Sequence, residues 1–302
     1  IEPGASCFKE MLEGIKEGAV NKYLDFFCEN CPSKITGLFP WGEHTFWHHW
    51  YERPYTYKDE FEHKYFQHDH LRQAPAWFWD EIAKRGKHIV VKFGEGLTGH
   101  LKDLDTFEYS RHAMINEKGH SGGIYSFPRH GGFYILDWAM AYKYSNDKKF
   151  LDWIDGILEF LKRHTSPKNS LIMMDLTDRW KGHKTSVLCQ SISLALSIFE
   201  TLNVLKDVED NRKKKWEQMA KDIAKAAGRV LEKSNPMNTY EMFDFFTGEG
   251  VNLQRIMPLW FSSYGVTTVT STAPLALGLY RFTGNEELKN FAIRTVESMN
   301  KE

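Results

Sequence analysis

Helices in repeated pairs are what this sequence predicts, on three observations. The segments YKYSNDKKFLDWI (residues 142–154) and YRFTGNEELKNFA (residues 280–292) match in residue type at nearly every place when aligned from their tyrosines, an offset of 280 − 142 = 138 positions. Each ends a small, apolar helix, turns within a few residues and opens an amphipathic one, so the recurring unit is a helical hairpin. The first helices of the pairs are rich in small residues and nearly free of charge, as in residues 185–205 with Ser186, Ser191, Ser193, Ala195 and Ser197. The second helices carry an apolar stripe at helical spacing, as in residues 211–232 with Trp216, Met219, Ile223, Ala226 and Val230. The expected fold class is therefore all-α, a single domain over residues 1–302, with about six hairpins and long irregular loops in the first half. Such hairpins either stack into an open solenoid or bend round until the ends meet. Charge-free inner helices suit tight packing round a central axis, which points to an (α/α) toroid, complete or incomplete.

The chain has 302 residues, 42% of them hydrophobic, and a formal net charge of −1. A normal core is available, and there is no basic excess of the kind nucleic acid selects. No uninterrupted apolar run is long enough to span a bilayer. The outlying figure is the aromatic fraction, 15%, with ten Trp and thirteen Tyr; such rings fill cores and also stack on sugar faces. Cys28 and Cys31 form a CxxC pair with no second pair, so a structural zinc site is not expected, while a local disulfide and two ordinary thiols both stay open. Cys7 and Cys189 read as core residues. The chain opens on Ile1 rather than Met, which fits a removed leader, and a secreted or periplasmic place is expected.

Taken in order, residues 7–27 read as a helix ended by Pro32 and Gly37. The stretch LFPWGEHTFWHHWYERPYTY (residues 38–57) holds Trp41, Trp47 and Trp50 beside His44, His48 and Arg53, candidates for the wall of a carbohydrate groove. His44 and His48 are four apart and on a helix share one face, a spacing that fits a metal pair; a divalent metal is left open, and no other cofactor is implied. His63, His68, Asp69 and His70 form a further polar cluster, a kind that more often serves structure. Residues 74–85 read as a short helix stopped by Gly86, and residues 88–93 as either a strand or a buried helix start. Gly94, Gly96 and Gly99 read as a loop that lacks the Lys and hydroxyl residue of a phosphate-binding loop. Helices are expected at 132–143, 148–163, 185–205, 211–232, 271–282 and 285–300.

The richest stretch is residues 107–144. Gly119, Gly122, Gly123, Gly131 and Gly132 crowd its first part and Pro128 interrupts it, so no regular element is expected there. Among them stand Arg111, His112, His120, Arg129 and His130, donors and titratable groups able to bind an anion or move a proton. This loop enters an inner helix, which in a toroid places it in the funnel at one end of the axis. RIMPLWFSSYG (residues 255–265) puts Arg255, Trp260 and Tyr264 before the last inner helix, the same kind of position.

The repeated turn resembles the inner-to-outer turn of α/α-toroid carbohydrate-active proteins, over residues 132–300. Among those, the chain is most similar in character to polysaccharide lyases acting on polyuronates, of the alginate and glucuronan lyase type, which use His, Arg and Tyr in an aromatic-walled cleft. The resemblance implies a secreted enzyme that cleaves alginate, glucuronan or a pectate-like polymer by β-elimination. Such an enzyme neutralises the uronate carboxylate, removes the C5 proton and protonates the leaving oxygen. It implies Tyr264 as base and acid, His112 as base or neutraliser, and Arg111, His130, Arg129 and Arg255 as carboxylate holders. Trp41, Trp47, Trp50, Trp260, His44 and His48 then line the path of an acidic polysaccharide or oligosaccharide. Two other functions fit the same composition. A glycoside hydrolase needs paired carboxylates, for which Asp137, Asp175, Asp178, Glu241 and Asp244 are available, and a non-catalytic glycan-binding protein needs only the rings.

Overall fold

Asn146 and Gly284 are 284 − 146 = 138 positions apart, and both take left-handed backbone, with φ of 58° and 65°. The hydrogen bonds around them are the same. The Asn146 N–H donates to the Tyr142 carbonyl and the Gly284 N–H to the Tyr280 carbonyl, both at 2.7 Å. One residue earlier a hydroxyl donates four residues back, Ser145 to Ala141 at 2.8 Å and Thr283 to Leu279 at 2.9 Å. That hydroxyl also accepts an N–H from two residues on, Asp147 at 3.1 Å and Asn285 at 3.3 Å. Finally Asp147 and Asn285 each accept an N–H of the next helix, from Lys149 and Glu287, both at 3.1 Å. Gly and Asn are the residues that tolerate the left-handed region, and short Asx side chains cap helix starts. The repeated letters are thus a repeated set of hydrogen bonds, closing one helix and opening the next.

The structure, a computed structural model, describes residues 17–40, 47–48, 50–59, 71–124, 126–173, 185–234, 242–250 and 272–300. Its first elements are α1 (Glu17–Asn30), β1 (Trp47–His48), β2 (Arg53–Pro54), α2 (Ala76–Arg85), α3 (Lys87–Gly96), β3 (Ser110–Ala113) and β4 (His120–Ile124). Then come α4 (Pro128–Ser145), α5 (Lys149–Arg163), β5 (Thr185–Val187), α6 (Leu188–Val204), α7 (Arg212–Glu232), β6 (Met242–Asp244), α8 (Ala273–Thr283) and α9 (Glu286–Met299). The described chain is mainly helical. Its strands pair only two by two, all antiparallel: β1 with β2, β3 with β4, β5 with β6.

The chain divides into two compact units, Ile1–Ile124 with Leu136–Ile154, and Tyr125–Ile135 with Asp155–Glu302. In the first, the core is aromatic. Phe27 stacks on Phe39 at 4.9 Å, Trp79 meets Phe93 at 4.5 Å, and Trp138 meets Trp153 at 5.6 Å between ring centres. The indole N–H of buried Trp138 donates to the Gly94 carbonyl at 2.8 Å. Much of the aromatic excess is therefore core. In the second, α6 packs on α8 and α7 on α9, and each helix also packs on its hairpin partner. This is an inner and an outer row. Inner α6 is buried nearly all round, from Leu188 and Cys189 through Ser191–Ala195 to Ser197, Ile198 and Thr201. Outer α7 buries one stripe, Trp216, Ala220, Ile223, Ala227 and Leu231, as an amphipathic surface helix does.

Several expectations are corrected. Residues 88–93 are helix, within α3, and Gly94 and Gly96 belong to that helix rather than to a loop, with Gly99 in a single 3₁₀ turn, Leu97–His100. Gly94 is there for packing: a Cβ on it would lie 2.6 Å from the Ala141 Cβ. The first part of the glycine-rich stretch is a β-hairpin, β3–β4, because backbone pairing needs no apolar alternation. Pro128 opens α4 instead of interrupting a loop, since its missing N–H is unneeded in a first helical turn. His48 is in β1, paired with Arg53, rather than on a helix, and His44 lies outside the described residues. Residues 185–187 form β5 before α6 begins. Cys28 and Cys31 are free, buried thiols and Cys189 is buried; burial pushes Cys28 up to about 11 and Cys31 up to about 12, so both are inert. Cys7 lies outside the described residues.

Candidate functional site

In the first unit the site residues ride on β3–β4. The Ser110–Ile124 and His112–Ser121 pairs leave one more residue on β4 than on β3, and Gly122 and Gly123 absorb it as a bulge. The Ser110 hydroxyl holds this irregularity, donating to the Ser121 and Gly123 carbonyls at 3.2 and 3.0 Å and accepting from the His112 N–H at 3.2 Å. A bulge re-aims neighbouring side chains, here those of Arg111 and His112, both half-buried, while His120 is exposed. Behind the strand, His100 is fully buried with Nδ1 3.3 Å from the Ser110 carbonyl. This pins β3 from a position the sequence did not mark.

In the second unit, Arg129 and His130 occupy the first turn of α4. The Phe127 carbonyl accepts from the His130 and Gly131 N–H groups at 3.0 and 3.3 Å. The Arg129 N–H donates to Oε1 of Gln190, at 3.1 Å, on the first turn of α6. One inner helix thus caps the next. The two helices approach closely because residue 132 is glycine: a Cβ there would stand 2.7 Å from the Ser197 hydroxyl oxygen. The His130 ring is held edge-on to Phe127 at 5.5 Å and near Phe133 at 5.9 Å, and the Arg129 guanidinium lies 5.3 Å from the Phe133 ring centre. The N–H groups of this turn are engaged, so holding a carboxylate here falls to the guanidinium and the imidazole, with the helix dipole favouring negative charge. Gln190 was missed by sequence reasoning; a lone amide at the start of an apolar helix was its only signal.

Trp47 and His48 form β1, and Trp50 follows at the hairpin tip, exposed. Nearby, Arg53 and Asp59 form an ion pair with two bonds, at 2.9 and 2.6 Å. Burial works against charge on Asp59, but hydrogen bonds from Arg53 and Thr56 outweigh it and lower its pKa to about 2. Two of the carboxylates considered for hydrolysis are engaged in structure. Asp137 is buried and accepts from the Trp79 indole at 2.7 Å, and Asp244 accepts the Phe246 and Thr247 N–H groups of a tight turn. Glu200, on α6, was overlooked; burial raises its pKa. Trp41, His44, Arg255, Trp260 and Tyr264 lie outside the described residues, as do His63, His68, Asp69, His70, Asp175, Asp178 and Glu241. Among the described residues no group of three or more His, Cys, Asp or Glu side chains is arranged to hold a metal ion, and no helix is long and apolar enough to cross a membrane.

No protein-family model and no curated protein matches the chain. Solved structures do. A sugar epimerase from a ruminal bacterium aligns with a TM-score of 0.54 at 11% identity, over 91% of this chain and 67% of that one. D-mannose isomerase aligns with a TM-score of 0.53 at 13% identity, over 74% of this chain and 57% of that one. Cellobiose 2-epimerase from Bacillus thermoamylovorans B4167 aligns over 75% of this chain and 58% of its own, with a TM-score of 0.49 and 11% identity. The chain thus spans less than two thirds of the length of the last two. At these identities the likeness concerns the fold, and the fold is of the (α/α)-toroid class.

Proposed function

We propose that this chain is a carbohydrate-active enzyme that cleaves a uronic-acid-containing polysaccharide by β-elimination. The observation that carries the reading is the first turn of α4, where Arg129 and His130 stand at the positive end of an inner helix held by Gln190. Support for a sugar substrate comes from the epimerase and isomerase that share the fold. In the reaction a base takes the C5 proton, the C–H electrons form a C4–C5 double bond, and the C4–O4 bond breaks. Its oxygen leaves with the bond pair and takes up a proton. Arginine binds the uronate carboxylate through two parallel bonds and makes the C5 proton more acidic. Within the second unit we assign that holding to Arg129, His130 and Arg255, and both proton removal and protonation of the leaving oxygen to Tyr264; Arg111 and His112, on β3–β4 of the first unit, are by residue type a carboxylate holder and a base. The roles of Arg255 and Tyr264 rest on residue type and chain position.

The names of the sugar epimerase and the D-mannose isomerase favour a second reading. Epimerisation and aldose–ketose isomerisation also begin with removal of a proton beside a carbonyl, so the same imidazoles suit a sugar isomerase. One panel separates the readings: alginate, glucuronan and pectate, with free mannose and cellobiose alongside, followed by ultraviolet absorbance, reducing-end release and sugar analysis. Elimination yields a conjugated double bond. Reducing ends without absorbance point to hydrolysis and its carboxylates, and interconverted monosaccharides point to an isomerase. With an active polymer in hand, Tyr264→Phe should lower turnover about 100-fold or more while the protein stays folded; near-normal unsaturated product removes Tyr264 from the mechanism.

A further inference from the structure

We propose that the tip of the β1–β2 hairpin is a sugar-stacking platform that grips the face of a pyranose ring without reading its charge. Trp50 is 86% exposed and Tyr51 56% exposed, although such rings gain most from burial. Trp79, Trp138 and Trp216 are fully buried in the same chain, and Trp50 is the most exposed large apolar side chain among the described residues. The tip is also held. Glu52 makes the turn with φ of 49°. Behind it the Asp59 carboxylate accepts from both outer Arg53 nitrogens and, at 2.7 and 2.8 Å, from the Thr56 N–H and hydroxyl. The Arg53 guanidinium, fixed by that clasp, lies 5.4 Å from the Tyr51 ring centre and backs the ring. A ring held in advance loses little freedom when a ligand lands on it.

The size and edges of the patch identify the occupant. Two rings offer at most about 500 Å², short of the roughly 800 Å² that each partner buries in a standard protein interface. Glu52, next in the chain to Tyr51, stands exposed, which interrupts any larger apolar surface and supplies a hydrogen-bonding group. An apolar face with a hydrogen-bonding edge is the outline of a pyranose, whose C–H bonds meet the negative ring face. Charge is not read, because the Arg53 fork is engaged by Asp59 and the adjoining Glu52 is an acid. This proposal rests on the carbohydrate-acting part of the proposed function and not on elimination. The test is calorimetric titration of the whole chain with cellohexaose, mannohexaose and a glucuronate hexamer, at about 50 and about 300 mM NaCl. At least one neutral hexamer should bind, and Trp50→Ala should weaken neutral and acidic binding alike by about tenfold at both salt levels, with Tm unchanged. No binding of either neutral hexamer, or unchanged affinity in Trp50→Ala, overturns the platform. A Trp50 effect confined to the glucuronate and lost at high salt overturns its indifference to charge. The titration needs no turnover, so a failed elimination assay leaves its outcome intact.

Discussion

Replacing Gly284 by alanine isolates the backbone term in the repeated turn. Its φ is 65°, and a Cβ placed there meets nothing within 4 Å, so no tertiary clash contributes. An L-residue in the left-handed region costs roughly 1–2 kcal/mol. Against that, alanine narrows the unfolded ensemble and returns about 0.4–1 kcal/mol. The expected net loss is about 1 kcal/mol. Gly284→Asn should lose less, about half of that, because Asn tolerates this region, as Asn146 does at the matching position. Gly18 in α1 is the control: a Cβ there also meets nothing within 4 Å, but its φ is not positive, so Gly18→Ala should gain about 0.5–1 kcal/mol. Urea unfolding reads all three as shifts of the midpoint at constant slope. If Gly284→Ala is as stable as the parent, or if Asn is as damaging there as Ala, the turn is not governed by its left-handed residue and the equivalence of the two repeats fails.

Three further outcomes are expected. Gly132→Ala should destabilise by about 1–3 kcal/mol through overpacking against Ser197, and adding Ser197→Gly should recover part of it; equal losses in single and double variants would count against the α4–α6 contact. Gln190→Leu should cost about 1 kcal/mol, as lost caps do, while Gln190→Glu keeps an acceptor and should stay near the parent; Tm measurements decide between cap and bystander. Burial raises the folded pKa of Glu200, so its contribution is most favourable below the unfolded carboxyl range near 4.5 and is lost as pH rises. Glu200→Gln should therefore raise Tm at pH about 8 and leave it nearly unchanged at pH about 4; an equal shift at both would refute the assignment.

The hairpin repeat was legible in the sequence because it is local. Tyr142, Ser145, Asn146 and Asp147 fix their own turn by hydrogen bonds spanning no more than four residues, and so do Tyr280, Thr283, Gly284 and Asn285. The inner and outer rows were legible for a related reason: a helix buried all round must be apolar and small, and one buried on a stripe must be amphipathic. Arg129 and His130 could be picked out by type.

What the tertiary structure decided involves partners far apart in the chain. Gly94 reads as a loop residue, and Gly132 as the last glycine of a loop entering a helix, until Ala141 and Ser197 are seen against them; close packing and chain reversal both require a missing Cβ, and local letters do not distinguish them. Asp137 reads as a free acid until the Trp79 indole, 58 positions away, is found on it. Gln190 becomes a cap only through Arg129, 61 positions away. Periodicity records which face of an element is apolar, whereas the partner that meets that face is set by how the helices stack, and a sequence read one window at a time holds no term for that distance.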